Sequence, residues 1–216
     1  MKTIYLVRHG RTLFNELNKV QGCSDSPLTE TGERRAAELG AVFKKEGITF
    51  DAAFTSDLGR ARQTAKIVLS HSASPDAPLV ETADLREVSF GMFEGGPNDL
   101  MWRRASEAME NLVITGDSPD ELKIQGLDAL KKLDTVGLAE NYDDVGNRIN
   151  RVLDLFAGSE ESSLLAVSHG LFINCLIYSL SNRESHVSYI PNTSVTKLVY
   201  DNGTFTISYI GQIENL

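Results

Sequence analysis

Thr3-Ile4-Tyr5-Leu6-Val7-Arg8-His9-Gly10 is the stretch on which the reading of the fold turns. An unbroken apolar, β-forming run meets a guanidinium, an imidazole and a glycine. Such a run suits a strand covered on both faces, as in a parallel sheet, with the Gly10 turn ending it. It is too short for a signal-peptide core and passes directly into Arg8-His9, so it reads as a buried strand of a cytoplasmic protein.

Working outward, Thr29 opens a helical stretch through Lys45, with Ala36, Leu39, Val42 and Phe43 on one face. Asp51 to Thr55 reads as a second strand. Ser56 is placed to N-cap the next helix, along which Ala61, Thr64, Ala65 and Val68 form a stripe. Tyr142 to Phe156 has the clearest amphipathic pattern, opened by Asp143 and Asp144, where a helix dipole favours acids. Ser163 to Val167 reads as a strand and Leu171 to Leu180 as a buried helix. Val195 to Tyr200 and Thr204 to Ile210 form a hairpin about Asp201-Asn202-Gly203. The alternation predicts an α/β sandwich around a mostly parallel sheet, a single domain spanning 1–216. From about residue 95 to 140 the periodicity weakens, with turn signals at Gly116-Asp117-Ser118-Pro119 and Gly137. That stretch is expected to be a helical cap insertion.

The chain has 216 residues, a net charge of −9, 41% hydrophobic and 24% charged residues, which is ordinary for a globular protein. An acidic chain does not point to nucleic acid or an anionic membrane as partner. The apolar tract Leu164 to Leu180 is broken by Ser168, His169, Gly170 and Asn174, so no membrane span is expected. Cys23 and Cys175 are far apart, and His9, His71, His169 and His186 offer no HxH or HExxH spacing, so neither a disulfide framework nor a zinc site is indicated. No P-loop or dinucleotide glycine signature follows a strand. The terminal hairpin offers an edge on which a homodimer could form; the oligomeric state is otherwise open.

Ligands of open α/β sheets bind at the carboxyl ends of the strands. The strands here end in Arg8-His9-Gly10-Arg11-Thr12 with Asn15 behind, in Thr55-Ser56-Asp57 leading to Arg60, and in Ser168-His169-Gly170. Arg86-Glu87 follows another short run on the same rim. Phosphoryl transfer needs this set: guanidiniums to hold oxygens, a neutral imidazole as nucleophile, a second imidazole as donor, and a carboxyl to protonate the leaving oxygen. Gly10 and Gly170 would let the backbone approach a phosphate. Each piece has a plainer reading: His169 as a core histidine, Arg60 as a surface charge paired with Asp57, Glu87 and Arg86 as a solvated pair. Their agreement in type and position favours the site.

The assembled residues resemble the histidine phosphatase superfamily, the phosphoglycerate mutase-like group. The resemblance runs through Leu6 to Thr12 with Asn15, Gln21-Gly22, Asp25 to Gly32, Ser56 to Ala65, Leu85-Arg86-Glu87 with Phe90-Gly91 and Phe93-Glu94-Gly95, and Val167 to Gly170. It implies a three-layer α/β/α sandwich, no metal and no cofactor. His9 would be the phosphorylated nucleophile and Glu87 the general acid and then base. Arg8, Arg60 and His169 would hold the phosphoryl group, with Asn15, Gln21, Gly22 and Gly170 at the substrate. Ser168 is read as a support for His169.

The same resemblance separates phosphatases from mutases. The position where mutases carry tyrosine after the glutamate is Phe90, no lysine lies between Lys66 and Lys123, and Leu171 stands where mutases have asparagine. A phosphatase acting on a small phosphorylated molecule is therefore expected, with mutase as the alternative and a silent phospho-ligand binder less favoured. Arg103-Arg104 resembles the mutases' paired arginines but lies at a shorter spacing; it reads as the basic edge of a cap helix that could still reach a substrate's far end. Phe90, Met92, Phe93 and Trp102 are candidates for an apolar wall. Cys23 reads either as a substrate-facing residue or as a small buried one, the second slightly favoured.

Overall fold

The structure is a computed structural model that describes residues 1–109, 112–116, 118–182, 189–214 and 216. Asp117 and His186 lie outside these residues. Six strands form one sheet: β1 (Lys2–Arg8), β2 (Ala52–Ser56), β3 (Leu79–Thr82), β4 (Ser163–Ser168), β5 (Val195–Asp201) and β6 (Thr204–Gln212), in the order β3-β2-β4-β1-β5-β6. The first four in that order are mutually parallel, and β5 and β6 complete the sheet as an antiparallel hairpin. This is a mixed sheet within an α/β sandwich.

Alternation along the strands divides the core in two. Ile4, Leu6, Phe54, Leu164 and Ala166 face one way, and Tyr5, Val7, Ala53, Leu165 and Val167 the other. On the second face lie α2 (Glu30–Lys45) and α3 (Gly59–His71), through Ala36, Leu39, Phe43, Ala61, Ala65 and Val68. On the first lie α6 (Tyr142–Gly158) and α7 (Gly170–Leu180). Thr29 caps α2 as expected, accepting from the Gly32 N–H at 3.1 Å. Ser56 does not cap α3: the N-cap is Leu58, without a side-chain bond, and Ser56 is the last residue of β2.

A short α1 (Leu13–Glu16) follows the β1 turn, and α4 (Asn98–Ala108) and α5 (Asp120–Leu133) occupy the weakly periodic stretch. Met101, Trp102, Ile124, Leu127 and Leu130 of α4 and α5 join the core that also contains Ile4 and Leu6. No helix among the described residues is long and apolar enough to cross a membrane.

The sheet positions the site through one pairing. In the parallel register of β1 and β4, Arg8 lies opposite Ser168, and the His9 N–H donates to the Ser168 carbonyl at 2.9 Å. Two adjacent strands therefore end level, each delivering an imidazole to the same rim.

Candidate active site

A cavity of about 570 Å³ opens at this rim. His9, Arg8, Asn15, Gln21, Glu87 and Gly170 line it, with Phe90, Trp102 and Leu171 forming an apolar side. The His9 and His169 rings lie 5.1 Å apart, centre to centre, at 58°. Both are buried, at 3% and 0% exposure.

The hydrogen bonds fix which nitrogen of each ring is available. His9 Nδ1 is 2.7 Å from the Gly10 carbonyl, which can only accept, so Nδ1 carries the hydrogen and Nε2 keeps its lone pair. His169 Nδ1 accepts from Arg60 Nε at 3.1 Å, so in the neutral ring Nε2 carries the hydrogen. That Nε2 is buried without a partner among the described residues. Burial, with Arg60 and Arg8 nearby, holds His9 well below the usual imidazole range; burial, Arg60 and His9 do the same to His169. The pair thus offers one nucleophilic nitrogen and one unspent donor.

Arg8 donates from Nη1 to the Ile190 carbonyl at 2.5 Å and lies 5.0 Å from the Tyr189 ring centre. Its Nε is buried with no partner among the described residues. A Cβ at Gly170 would stand 3.2 Å from the Arg8 guanidinium carbon, so the glycine makes room for that arginine. At Gly10 a Cβ would stand 2.9 Å from the Gly32 carbonyl oxygen, so this glycine makes room for the start of α2.

Asn15 Oδ1 accepts from the Thr12 N–H at 3.1 Å and Asn192 Nδ2 at 3.4 Å, leaving its own amide hydrogens for a ligand. Asn192 also donates to the His9 carbonyl at 2.9 Å. Gln21 Oε1 accepts from Thr12 and Ser26, and its Nε2 is a further buried donor without a partner among the described residues.

Glu87 sits where α7 begins. It accepts from the N–H groups of Val88 at 3.0 Å, Leu171 at 3.1 Å and Phe172 at 2.8 Å. Burial raises its carboxyl above the usual range in spite of those bonds and the Arg60 charge. It is therefore disposed to hold a proton beside the cavity. It is not paired with Arg86, which binds Asp57 at 2.5 and 2.6 Å instead.

Two of the expected site residues lie behind the cavity wall rather than in it. Arg60 is 1% exposed and does not line the cavity. Its N–H groups go to His169 Nδ1, Asp25 Oδ1 and the carbonyls of Gln21, Gly22 and Ser24. These bonds occupy the whole guanidinium fork, and they place the Arg60 charge behind His169 rather than in the cavity wall. Gly22 is likewise outside the cavity lining. Its N–H donates to Glu94 Oε2 at 3.0 Å, and a Cβ would meet Glu94 Oε1 and the Val88 carbonyl at 2.2 Å. Ser168 donates to the Leu85 carbonyl at 2.8 Å and supports His9 through its own carbonyl, not His169.

Asp25, Glu94 and Asn192 are structural partners of the site that the sequence reading did not assign. Glu94 gathers the N–H groups of Gly22, Cys23, Ser24 and Phe90. Cys23 is exposed rather than buried and does not line the cavity. Met92 is exposed too, whereas Phe90 and Trp102 are buried and edge-to-face at 6.2 Å. Arg103 and Arg104 are exposed and outside the cavity, with Arg104 paired to Glu107. Lys19, Asp99, Asp120 and Lys123 also line the cavity, the last two an ion pair at 2.9 Å. Among the described residues no cluster of three or more His, Cys, Asp or Glu could hold a metal ion.

The sequence pattern of the histidine phosphatase superfamily (branch 1) matches residues 4–212. A probable phosphoglycerate mutase, GpmB, of Yersinia pestis (strain Pestoides F) is 31% identical over 215 residues, covering 96% of this chain and 89% of its own. The crystal structure of a phosphoglycerate mutase from Bacillus anthracis superposes with a TM-score of 0.87 at 34% identity, covering 98% of this chain and 93% of the other. A phosphoserine phosphatase from Entamoeba histolytica, in complex with 3-phosphoglyceric acid, superposes with a TM-score of 0.73 at 25% identity, covering 98% of each chain.

Proposed function

This chain belongs to the histidine phosphatase superfamily, and we propose that it is a metal-independent phosphatase that hydrolyses a small phosphomonoester through a phosphohistidine at His9. The observation that carries the reading is the complementary pair of imidazole edges: a free lone pair on His9 Nε2 and an unspent N–H on His169 Nε2, in rings 5.1 Å apart. His9 Nε2 attacks phosphorus in line with the ester oxygen. As the P–O bond breaks, Glu87 gives its proton to that oxygen and the alcohol leaves. Arg8 Nε–H and His169 Nε2–H donate to equatorial oxygens, and the Asn15 and Gln21 amides complete the cradle. Water then attacks phosphorus, Glu87 takes its proton, the P–N bond breaks, and inorganic phosphate departs.

Hydrolysis rather than transfer is favoured by the apolar side of the cavity. Phe90 and Leu171 offer no side-chain donor to retain a second anionic group through a reorientation, and Arg103 and Arg104 do not reach the cavity. The second reading, phosphoglycerate mutase, is favoured by Lys19 and Lys123 in the cavity lining and by two relatives that bear that name. We place leaving-group recognition on α4 and α5, the cap over the phosphate pole.

The test is a panel of phosphomonoesters assayed with chelator present, alongside 3-phosphoglycerate with its bisphosphate cofactor. Phosphate release without interconversion of the glycerates, abolished in His9→Ala, is the expected result. Efficient interconversion assigns the protein to the mutases, and full turnover by His9→Ala removes the phosphohistidine.

A further inference from the structure

Arg148 lies on α6, away from the cavity lining, and is 9% exposed. Its Nη1 donates to the carbonyls of Asp84 at 3.0 Å and Arg86 at 2.8 Å, and its Nη2 to that of Glu87 at 3.1 Å. The rest of the fork holds Glu140, at 2.8 Å from Nε and 2.7 Å from Nη2. Glu140 in turn accepts from the Ser89 N–H and donates its own N–H to the Ser89 carbonyl, each at 2.9 Å. The guanidinium also covers the Phe172 ring at 5.1 Å, and the Phe172 N–H is one of the donors on the Glu87 carboxyl.

The main chain is therefore pinned on both sides of Glu87 by one ion pair, with Arg148 buried and Glu140 partly so. Nothing in the segment's local conformation explains this: residues 86 to 90 are neither helix nor strand, so their carbonyls need partners from elsewhere. Arginine suits the task because one planar, rigid group presents five donors from three nitrogens to several carbonyls and a carboxylate at once, whereas the three donors of lysine all radiate from one atom.

We propose that Arg148, with Glu140, is a positioning residue that aims the Glu87 carboxyl at the leaving oxygen and keeps water from its far side. The inference rests on the reading that Glu87 is the proton donor. Proton donation matters most for an alkoxide leaving group and little for a phenolate already stable as an anion. Loosening the clamp also admits water beside Glu87, which removes the burial that raises its pKa.

Arg148→Lys and Glu140→Gln are compared with the parent on sn-glycerol 3-phosphate and p-nitrophenyl phosphate across pH, with thermal melting recorded for each. Glu140→Gln keeps a neutral acceptor on Arg148 and guards against loss of the fold in the other variant. The expected result is a fall of about tenfold to a hundredfold on the alkyl ester. The aryl ester should change by less than about threefold, and the alkaline limb should move to lower pH. Equal loss on both esters with the limb unmoved, or no change on either, overturns the proposal. A parent profile identical to that of Glu87→Gln removes the donor reading itself, whatever Arg148 does.

Discussion

Glu87 is held by opposed influences. Three backbone N–H groups and the Arg60 charge favour its ionised form, yet burial outweighs them and the carboxyl titrates above its ordinary range. An acid catalyst must be protonated, so activity on alkyl esters is present below that raised pKa and lost as pH climbs through it. Glu87→Gln removes this limb and slows alkyl phosphates by about a hundredfold or more, with a smaller loss on p-nitrophenyl phosphate. Parallel losses, or an intact alkaline limb, would show the proton coming from elsewhere. Individual side chains were legible in the sequence where chemistry restricts the choice: two imidazoles, an arginine and a carboxyl at strand ends. Arg60 shows where that legibility stops. Its type was readable, but its bonds depend on the Gln21 to Asp25 loop folding over it, and no local pattern encodes that closure. Asp25, Glu94 and Asn192 escaped for the same reason, since an acid or amide in a loop looks alike whether it faces water or a distant N–H.

Elements were legible where periodicity and caps coincide. Thr29 and a continuous stripe gave α2, and α6 had the strongest pattern; both fall within a residue or two of expectation. β3 was visible only as a short run, because just four residues pair and its centre is exposed. In α4 and α5 the proline N-caps, Pro97 and Pro119, make no side-chain bond, and the apolar positions serve neighbouring helices, which blurs a single stripe. The start of α6 carries a prediction. Asn141 closes a capping box with Asp144, accepting from its N–H at 3.2 Å, and donates to Asp128 at 2.9 Å. Asn141→Ala should cost about 1 kcal/mol. A urea melt reads this as a lower midpoint at unchanged slope. Arg148 lies beyond the first turn, so the alkaline limb of activity should stay in place. An unaltered midpoint would mean the box adds nothing beyond the solvation it replaces.

Across the whole molecule, unbroken apolar strands in alternation with helices forecast two covered sheet faces, and both exist. The strand order was not readable, because adjacency depends on how each crossover packs rather than on any one segment. That order sets His9 beside His169, and the arrangement has a consequence for stability. The unfolded chain protonates these rings near pH 6.5, whereas the folded protein keeps both neutral well below it. Below about pH 6.5 the unfolded state therefore binds more protons, and stability must fall as pH drops toward the folded values. Each ring contributes up to about 1.4 kcal/mol per pH unit across that window. Glu87 acts in the opposite sense: its raised pKa means the folded state holds the extra proton between the unfolded value, about 4.5, and its own. Urea melts of the parent, His9→Gln and Glu87→Gln between about pH 5 and 6.5 separate the two effects. His9→Gln should flatten the acid slope by up to about 1.4 kcal/mol per unit, and Glu87→Gln should steepen it. If His9→Gln keeps the parent's slope, that ring is not held neutral by the fold, and its readiness as a nucleophile must come from something other than burial.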